Sequence, residues 1–253
     1  MSSYKVVFCI TINEEGPEKL EPNFEGIIIN INKLNQKFGF IADDILVVII
    51  ADGLSTLSPE YKQIFFKNRE LKHDPNILHQ QLDIPNHYIH LFISEYQNGY
   101  ENIPLEFSRI QLLFAVKEGH FGRKNSIMHF LNGIQYEIAS KCGSIPPEEI
   151  ITEQFVMIQK PEVKLHKHAI YKFLLTFRYH PEAVSVSGQI EIIPDFVKIV
   201  SIEAGQMLEY KLENIYERHY ENNFHFIMNT SPSIYLYRYR PIVELGFQNT
   251  SFF

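Results

Sequence analysis

Two uninterrupted apolar segments near the start of the chain constrain its fold more than any other feature. Lys5–Ile12 and Ile45–Ala51 consist almost wholly of apolar residues, many of them β-branched, and each ends at polar residues. A strand with continuous hydrophobicity is buried on both faces, which is typical of a parallel sheet covered by helices. Between the two segments, Asn23–Lys37 carries apolar residues at helical spacing, which predicts an amphipathic helix.

The same alternation of strand and helix patterns continues along the chain. Further strands are predicted at Tyr88–Ile93, Ile110–Val116, Phe155–Ile158 and Ala183–Ile193. Further helices are predicted at Lys124–Ser140, Lys167–Arg178 and Gln206–Arg218, and Ser58-Pro59-Glu60 is typical of a helix start. This order predicts an α/β fold, a mostly parallel sheet with helices on both faces. Because no repeat or linker divides the chain, we expect a single domain over residues 1–253.

Charge and cysteine content narrow the class of protein. The chain has 23 basic and 30 acidic residues and a net charge of −7, which argues against a nucleic-acid partner. No apolar run approaches the roughly 20 residues of a membrane helix, and no leader is recognisable at the start of the chain. Cys9 and Cys142 are the only cysteines and form no disulfide framework, so we expect a reducing, cytoplasmic location.

Ligands of parallel α/β sheets bind beyond the carboxyl ends of the strands. The residues that directly follow predicted strands are therefore candidates: Thr11–Glu15, Asp52-Gly53, Lys117-Glu118 and Gln159–Glu162. At this edge, the Asp52 carboxylate could accept hydrogen bonds from a base or a sugar. The alternative is a turn aspartate that caps the following helix.

A basic, glycine-containing loop, Lys117–Ser126, lies between a predicted strand and a predicted helix. Lys117, Arg123 and Lys124 could contact a diphosphate, with the start of the helix adding backbone N–H donors. The spacing of its glycines and lysines is not that of a P-loop, and a solvated loop is the alternative interpretation.

Other polar clusters favour a surface role over a catalytic one. His166 and His168 are two residues apart, so on a helix they would not share a face as metal ligands. Glu217, His219 and His225 are interpreted as a polar surface. No Gly-x-Ser-x-Gly sequence supports a serine hydrolase.

The order of several motifs resembles one known family. The sequence CITINEE at Cys9–Glu15 is similar to C-I-T-M-Y-N-E-D of the cytosolic catalytic region of chitin synthases, which are processive family-2 glycosyltransferases. Similar blocks follow in the same order: Val47–Ser55 (VVIIADGLS), Gln111–Phe114 (QLLF), Lys117-Glu118, Asn125-Ser126, Gln206–Ile215 and Tyr237–Tyr239. The resemblance covers nearly the whole chain.

This resemblance implies a GT-A-type fold that binds UDP-N-acetylglucosamine. It implies that Thr11 and Asp52 contact the uridine and Lys117 the nucleotide region, with Glu14 and Gly53 as further substrate-binding residues. Arg123, Lys124 and Lys160 are the candidates for the diphosphate. Mg²⁺ or Mn²⁺ is the cofactor expected for the family.

The chain also departs from the family pattern. Gln159 stands where the family has its metal-binding aspartate, and an amide is a poor ligand for such a cation. Lys160, the next residue, could partly neutralise the diphosphate instead, or the site could simply have decayed. Ser187–Ile190 and Ser231–Ser233 replace the family's C-G-E-I and L-P-G.

The family's C-terminal features lie beyond Phe253. These are the E-D aspartate that acts as general base, the Q-R-R-R-W motif and the membrane helices. No residue of this sequence is therefore assigned a catalytic role, and with Gln159 at the metal position no metal ligand is predicted.

Three functions remain open at this point. The chain could transfer N-acetylglucosamine to a growing β-1,4 chitin chain, or bind a nucleotide sugar without turnover, or serve as an interaction module or gene fragment.

Overall fold

We describe a computed structural model of the chain, over residues 4–53, 57–61, 89–97, 103–135, 154–191, 202–224 and 234–244. Its strands are β1 (Val6–Ile12), β2 (Ile45–Ala51), β3 (Ile89–Gln97), β4 (Arg109–Lys117), β5 (Phe155–Gln159), β6 (Ser185–Ser187) and β7 (Ile234–Arg238). Its helices are α1 (Glu21–Phe38), α2 (Arg123–His129), α3 (Ala169–Tyr179), α4 (Ile202–Leu212), α5 (Arg218–Asn223) and α6 (Tyr239–Glu244). Single 3₁₀ turns occupy Pro17–Lys19, Ala42–Asp44 and Leu105–Phe107, and π-helical turns extend α2 over Phe130–Ile134 and α4 over Glu213–Glu217.

The strands within the described residues form one seven-stranded sheet with the order β3-β4-β2-β1-β5-β7-β6. The four central strands, β4, β2, β1 and β5, are parallel to one another, while β3 and β7 run antiparallel to their neighbours. β6 pairs antiparallel with β7 and therefore runs in the same direction as the central strands. The mostly parallel α/β architecture predicted from the sequence is confirmed.

Successive residues of β1 and β2 pack into two separate cores on opposite faces of the sheet. Phe8 and Ile10 belong to the core beneath α1 and α3, which contribute apolar residues such as Ile27 and Phe173. Val7, Cys9, Leu46, Val48 and Ile50 belong to the second core, which is covered by Phe130 and Ile134 of the segment that begins with α2. Every residue of β1 is buried, which is the reason that its hydrophobicity is continuous.

α1 begins with Pro22 in its first turn and ends at Gly39, whose φ of 70° lies in the left-handed region. The Gly39 N–H donates to the Asn35 carbonyl at 2.9 Å, so an αL residue closes the helix. A side chain at Gly26 would lie 2.9 Å from the backbone nitrogen of Leu165. α1 therefore packs directly against the segment that follows β5.

Two predictions for the third part of the chain need correction. Ala183–Ile193 was expected to be one strand, but only Ser185–Ser187 is a strand within the described residues. Its partner β7 begins at Ile234, opposite Gly188, so no further pairing with β7 extends β6. Strand β7 was not predicted, although Ile234 and Leu236 are buried and alternate with half-buried tyrosines, a pattern typical of a strand.

The remaining element predictions match the structure with small shifts in their bounds. β3 is longer than expected, α4 begins four residues earlier than expected, and α3 begins two residues later than expected. Tyr88, residues 136–140 and 192–193, Cys142, His225 and Ser231–Ser233 lie outside the described residues. No helix in the described ranges is both long enough and apolar enough to cross a lipid bilayer.

Candidate functional site

The register of the parallel strands brings Thr11, Asp52 and Lys117 to one face at the carboxyl edge of the sheet. Ala51 of β2 lies opposite Val116 of β4, so the next residues, Asp52 and Lys117, are neighbours at the ends of adjacent strands. Thr11 of β1 lies opposite Ile50 of β2. Residues two apart in a strand share a face. All three side chains therefore lie on the side of Cys9 and Ile50, which is the side covered by α2.

Asp52 and Lys117 form a buried ion pair between the Asp52 Oδ1 and the Lys117 Nζ, and each side chain is only 3% exposed. The ammonium also donates to Asn125 Oδ1 at 2.7 Å. The Asp52 carboxylate accepts the backbone N–H groups of Phe121 at 3.1 Å and Gly122 at 2.6 Å. With both oxygens engaged, Asp52 holds the loop that connects β4 to α2.

The protonation of this pair follows from these contacts. Burial favours the neutral acid, but Lys117 and the two backbone N–H groups outweigh burial and hold the pKa of Asp52 below its usual value. Burial also lowers the pKa of Lys117, against the effect of the carboxylate. Both pKa values are thus lowered, which favours the charge on Asp52 and opposes the charge on Lys117. The donors that converge on Asp52 decide in favour of a charged pair.

The loop Glu118–Gly122 covers this ion pair. The His120 Nδ1 lies 2.9 Å from the Asp52 carbonyl oxygen and 3.4 Å from its Oδ2. Phe121 is 48% exposed and places its ring 5.6 Å from the Lys117 Nζ. Gly122 has a φ of 86°, which directs its N–H to Asp52 and which a residue with a side chain rarely adopts. The loop is therefore shaped around the carboxylate.

This geometry bears on two expectations from the sequence. The alternative interpretation made Asp52 a turn residue that caps the following helix; the described contacts of its carboxylate are with Lys117 and with the N–H groups of Phe121 and Gly122, and contact with a ligand stays a prediction. The sequence predicts that the start of the helix adds backbone N–H donors for a diphosphate, and the two N–H groups that directly precede α2 are those of Phe121 and Gly122. They are bonded to Asp52 instead, because the loop folds back over the end of β2.

The other substrate-binding candidates differ in exposure. Thr11 is 6% exposed, and its Oγ1 is buried without a hydrogen-bond partner. Gly53 is buried and has a φ of 109°. Glu14 lies in the turn after β1 and is exposed. Among the five candidates, only Glu14 is open to solvent.

The diphosphate candidates surround the same edge. Arg123 is the first residue of α2 and is half-buried, and its Nε and Nη2 are buried without a hydrogen-bond partner. Burial raises the pKa values of Cys9 of β1 and Tyr235 of β7, that of Tyr235 to about 12, and the positive charge of Arg123 opposes this rise at both residues. The guanidinium thus lies near the sheet face that carries Thr11. Lys124 is exposed, and half-buried Lys160 directly follows β5.

Gln159 lies on the opposite face from Thr11, Asp52 and Lys117. It shares its face with Met157, in the core beneath α1, and is fully buried. Its Nε2 donates to Asn23 Oδ1 at 2.5 Å, and the Asn23 Nδ2 lies 3.4 Å and 3.5 Å from the carbonyl oxygens of Lys160 and Pro161. The position to which the resemblance assigns a metal-binding aspartate is thus occupied by an internal amide pair.

These residues do not fit a divalent cation beside a diphosphate. The Gln159 amide is neutral, buried and directed to α1, and Lys160 adds positive charge next to it. Mg²⁺ and Mn²⁺ prefer carboxylate and water oxygens. Among the described residues, no three His, Cys, Asp or Glu side chains are placed to hold a metal ion.

The sequence identified candidate site residues but not the residues that hydrogen-bond to them in the folded chain. His120 and Asn125 lie inside the loop that the sequence singled out, but no local pattern shows that they contact Asp52 and Lys117. Asn23 is separated from Gln159 by a large part of the chain. Its signal is an asparagine on the apolar face of a predicted helix.

The histidine pair was interpreted as surface, and its surroundings agree. The rings of His166 and His168 are 6.0 Å apart. Burial and the positive charges of Lys33, Lys167 and Lys172 lower the pKa of His168. The pair therefore lies in a cationic environment. The side chains of Glu217 and His219 lie outside the described part of the structure.

Comparisons with known proteins agree with this architecture. The family model for a chitin synthase-like glycosyltransferase domain matches residues 6–251. Chitin synthase 1 of Phytophthora sojae is 24% identical over 255 aligned residues, which cover 94% of this chain and 26% of that protein. The chain thus spans about a quarter of the length of this curated relative.

Proposed function

The chain belongs to the chitin synthase-like glycosyltransferase family, and we propose that it binds UDP-N-acetylglucosamine at the carboxyl edge of its sheet. The nucleotide is bound by Thr11, Glu14, Asp52, Gly53 and Lys117. The diphosphate is bound by Arg123, Lys124 and Lys160. No nucleic acid takes part.

The observation that carries this proposal is the unpartnered hydroxyl of Thr11 beside the buried Asp52–Lys117 pair. A buried polar atom without a partner costs free energy, and a ligand bound at this edge would supply the missing hydrogen bond. Thr11 shares its face with Asp52 and Lys117 at the edge where ligands of such sheets bind. The hydroxyl is therefore reserved for a ligand group.

Access to the buried part of this site involves the loop Glu118–Gly122. His120 and Phe121 are exposed at the surface of the loop, whereas Asp52 and Lys117 lie beneath it. The nucleotide contacts the exposed residues first and reaches Thr11 when the loop shifts away from β1.

In the reaction proposed for the family, an acceptor hydroxyl attacks the anomeric carbon of the donor. The bond from that carbon to the diphosphate breaks, UDP leaves, and a proton leaves the attacking hydroxyl. The product is a β-1,4 chitin chain longer by one N-acetylglucosamine, a cell-wall polymer. The described residues supply donor binding, and we assign no general base among them. The domain acts on the cytosolic side of a membrane.

Isothermal titration calorimetry of the 253-residue chain with UDP-N-acetylglucosamine, UDP and GDP tests the proposal. We expect binding of both uridine nucleotides with a Kd below about 1 mM, which corresponds to about 4 kcal/mol, and weaker binding of GDP. A Kd above that value for both uridine nucleotides would contradict the proposal. Release of UDP in the presence of chitin oligomers then separates an active transferase from a domain that only binds its donor.

A further inference from the structure

The contacts of Gln159 and Arg123 bear on how the negative charge of the diphosphate is met. Gln159 is fully buried, and its amide nitrogen is committed to Asn23. A carboxylate in its place would still face α1, because the strand register sets the face. The Gln159 side chain thus lies on the opposite face of the sheet from Thr11 and Asp52.

Positive charge is instead available on the correct face. The Nε and Nη2 of Arg123 are buried donors with no hydrogen-bond partner among the described residues, and α2, which begins with Arg123, packs against β1 on the face that carries Cys9 and, two residues later, Thr11. The planar fork of a guanidinium matches two oxygens of a phosphate group. The Arg123 donors and the Thr11 Oγ1 are therefore unpartnered polar groups directed to one side of one strand.

We propose that this site binds a nucleoside diphosphate without a divalent cation, and that the guanidinium of Arg123 takes the place of the metal. The proposal rests on the proposed function, since it concerns the same site. Lys160, directly after β5, which pairs with β1, adds a second fixed positive charge at the edge. Free Mg²⁺ would compete with Arg123 for the same phosphate oxygens.

The first experiment compares UDP binding by calorimetry in EDTA, in MgCl₂ and in MnCl₂. We expect the Kd in EDTA to agree with the Kd in either metal within a factor of about two, or to be lower. Binding that is tenfold or more tighter with a metal would overturn this inference and leave the proposed function intact. No binding of UDP in any of the three buffers would overturn both.

The second experiment tests Arg123 itself with UDP and with uridine, which carries no phosphate. Arg123→Gln is expected to weaken UDP binding at least tenfold and to leave the uridine affinity unchanged. Arg178→Gln removes the same charge from exposed Arg178 of α3 and is the matched control, with no expected effect on either ligand. Equal UDP affinity of Arg123→Gln and the unmodified chain would overturn the role of Arg123.

A third variant keeps the test decisive if Arg123→Gln folds poorly. Arg123→Lys retains the charge but not the fork, so we expect its UDP affinity to lie between those of the unmodified chain and Arg123→Gln. Circular dichroism and thermal unfolding establish that each variant is folded before titration. The unmodified chain is expected to bind UDP no better in MgCl₂ than in EDTA. If folded Arg123→Lys binds UDP better in MgCl₂ than in EDTA, this difference further supports substitution of the metal by the guanidinium.

Discussion

Replacement of Thr11 by valine separates a role in ligand binding from a role in folding. Valine has nearly the same shape as threonine, and the change removes only the hydroxyl, whose oxygen is buried and has no hydrogen-bond partner. In most proteins, the loss of a threonine hydroxyl lowers stability because a hydrogen bond is lost. Here the described residues offer the hydroxyl no hydrogen-bond partner, so the sign of the effect on stability should reverse.

The magnitude follows from the cost of an unpaired polar group. A buried hydroxyl without a partner costs about 1–3 kcal/mol, and a methyl group in its place fills the same space. We expect Thr11→Val to raise the free energy of unfolding by about 1 kcal/mol. For a chain of this size, that corresponds to an increase in Tm of roughly 2–4 °C. If a ligand hydrogen-bonds to the hydroxyl, the loss of about 1 kcal/mol weakens its binding about fivefold.

The assays are urea unfolding without ligand and calorimetric titration with UDP. Thr176→Val is the matched control, because the Thr176 hydroxyl donates to the Lys172 carbonyl at 3.0 Å on the surface of α3. We expect that control to change stability by less than about 0.5 kcal/mol and to leave binding unchanged. A Thr11→Val chain that is less stable than the unmodified protein, with the same affinity for UDP, would refute the reasoning.

Three further predictions concern stability. Gly122→Ala should lower the free energy of unfolding in urea by about 1–2 kcal/mol, because the φ of Gly122 is 86°. Gly205→Ala is the control: Gly205 lies in the interior of α4 with open space for a methyl group, so this change should raise the free energy of unfolding by up to about 1 kcal/mol. A loss of equal size for both variants would contradict this prediction. The folded-state pKa of Asp52 lies below its unfolded value of about 3.9, so its contribution to the free energy of unfolding is present above about pH 4 and is lost as the pH falls through the folded pKa. Asp52→Asn should flatten that part of the profile of stability against pH. An unchanged slope of stability at acid pH would contradict the shift. Asn23→Leu leaves the Gln159 amide nitrogen without its acceptor and should lower the free energy of unfolding by about 1–3 kcal/mol; a value within error of the unmodified chain would show that the pair contributes nothing.

The fold was largely predictable because its central strands are buried on both faces. β1 and β2 have no exposed side, so their hydrophobicity is continuous and separates them from the amphipathic helices on either side. β6 and β7 were misjudged because β6 is an edge strand of the sheet and β7 is the strand next to it. There the pattern is mixed, and the length of a strand depends on where its partner begins.

The candidate site was predictable in position but not in its contacts. The ends of parallel strands meet at one edge, so Asp52 and Lys117 were expected near each other, and they form an ion pair. The folding of His120, Phe121 and Gly122 over Asp52 could not be foreseen, because hydrogen bonds between a loop and a strand end leave no periodic trace in a sequence.

The sequence by itself determined the order of the central strands and the helices around them, the edge at which polar side chains collect, and the neutral residue at position 159, since all of these follow from residue type and spacing along the chain. Only the tertiary structure decided that Gln159 faces Asn23 of α1, away from Thr11, and that Asp52 serves its own loop. The physical reason is that the face of a side chain depends on strand register and on partners far along the chain, and both arise only when the sheet is assembled.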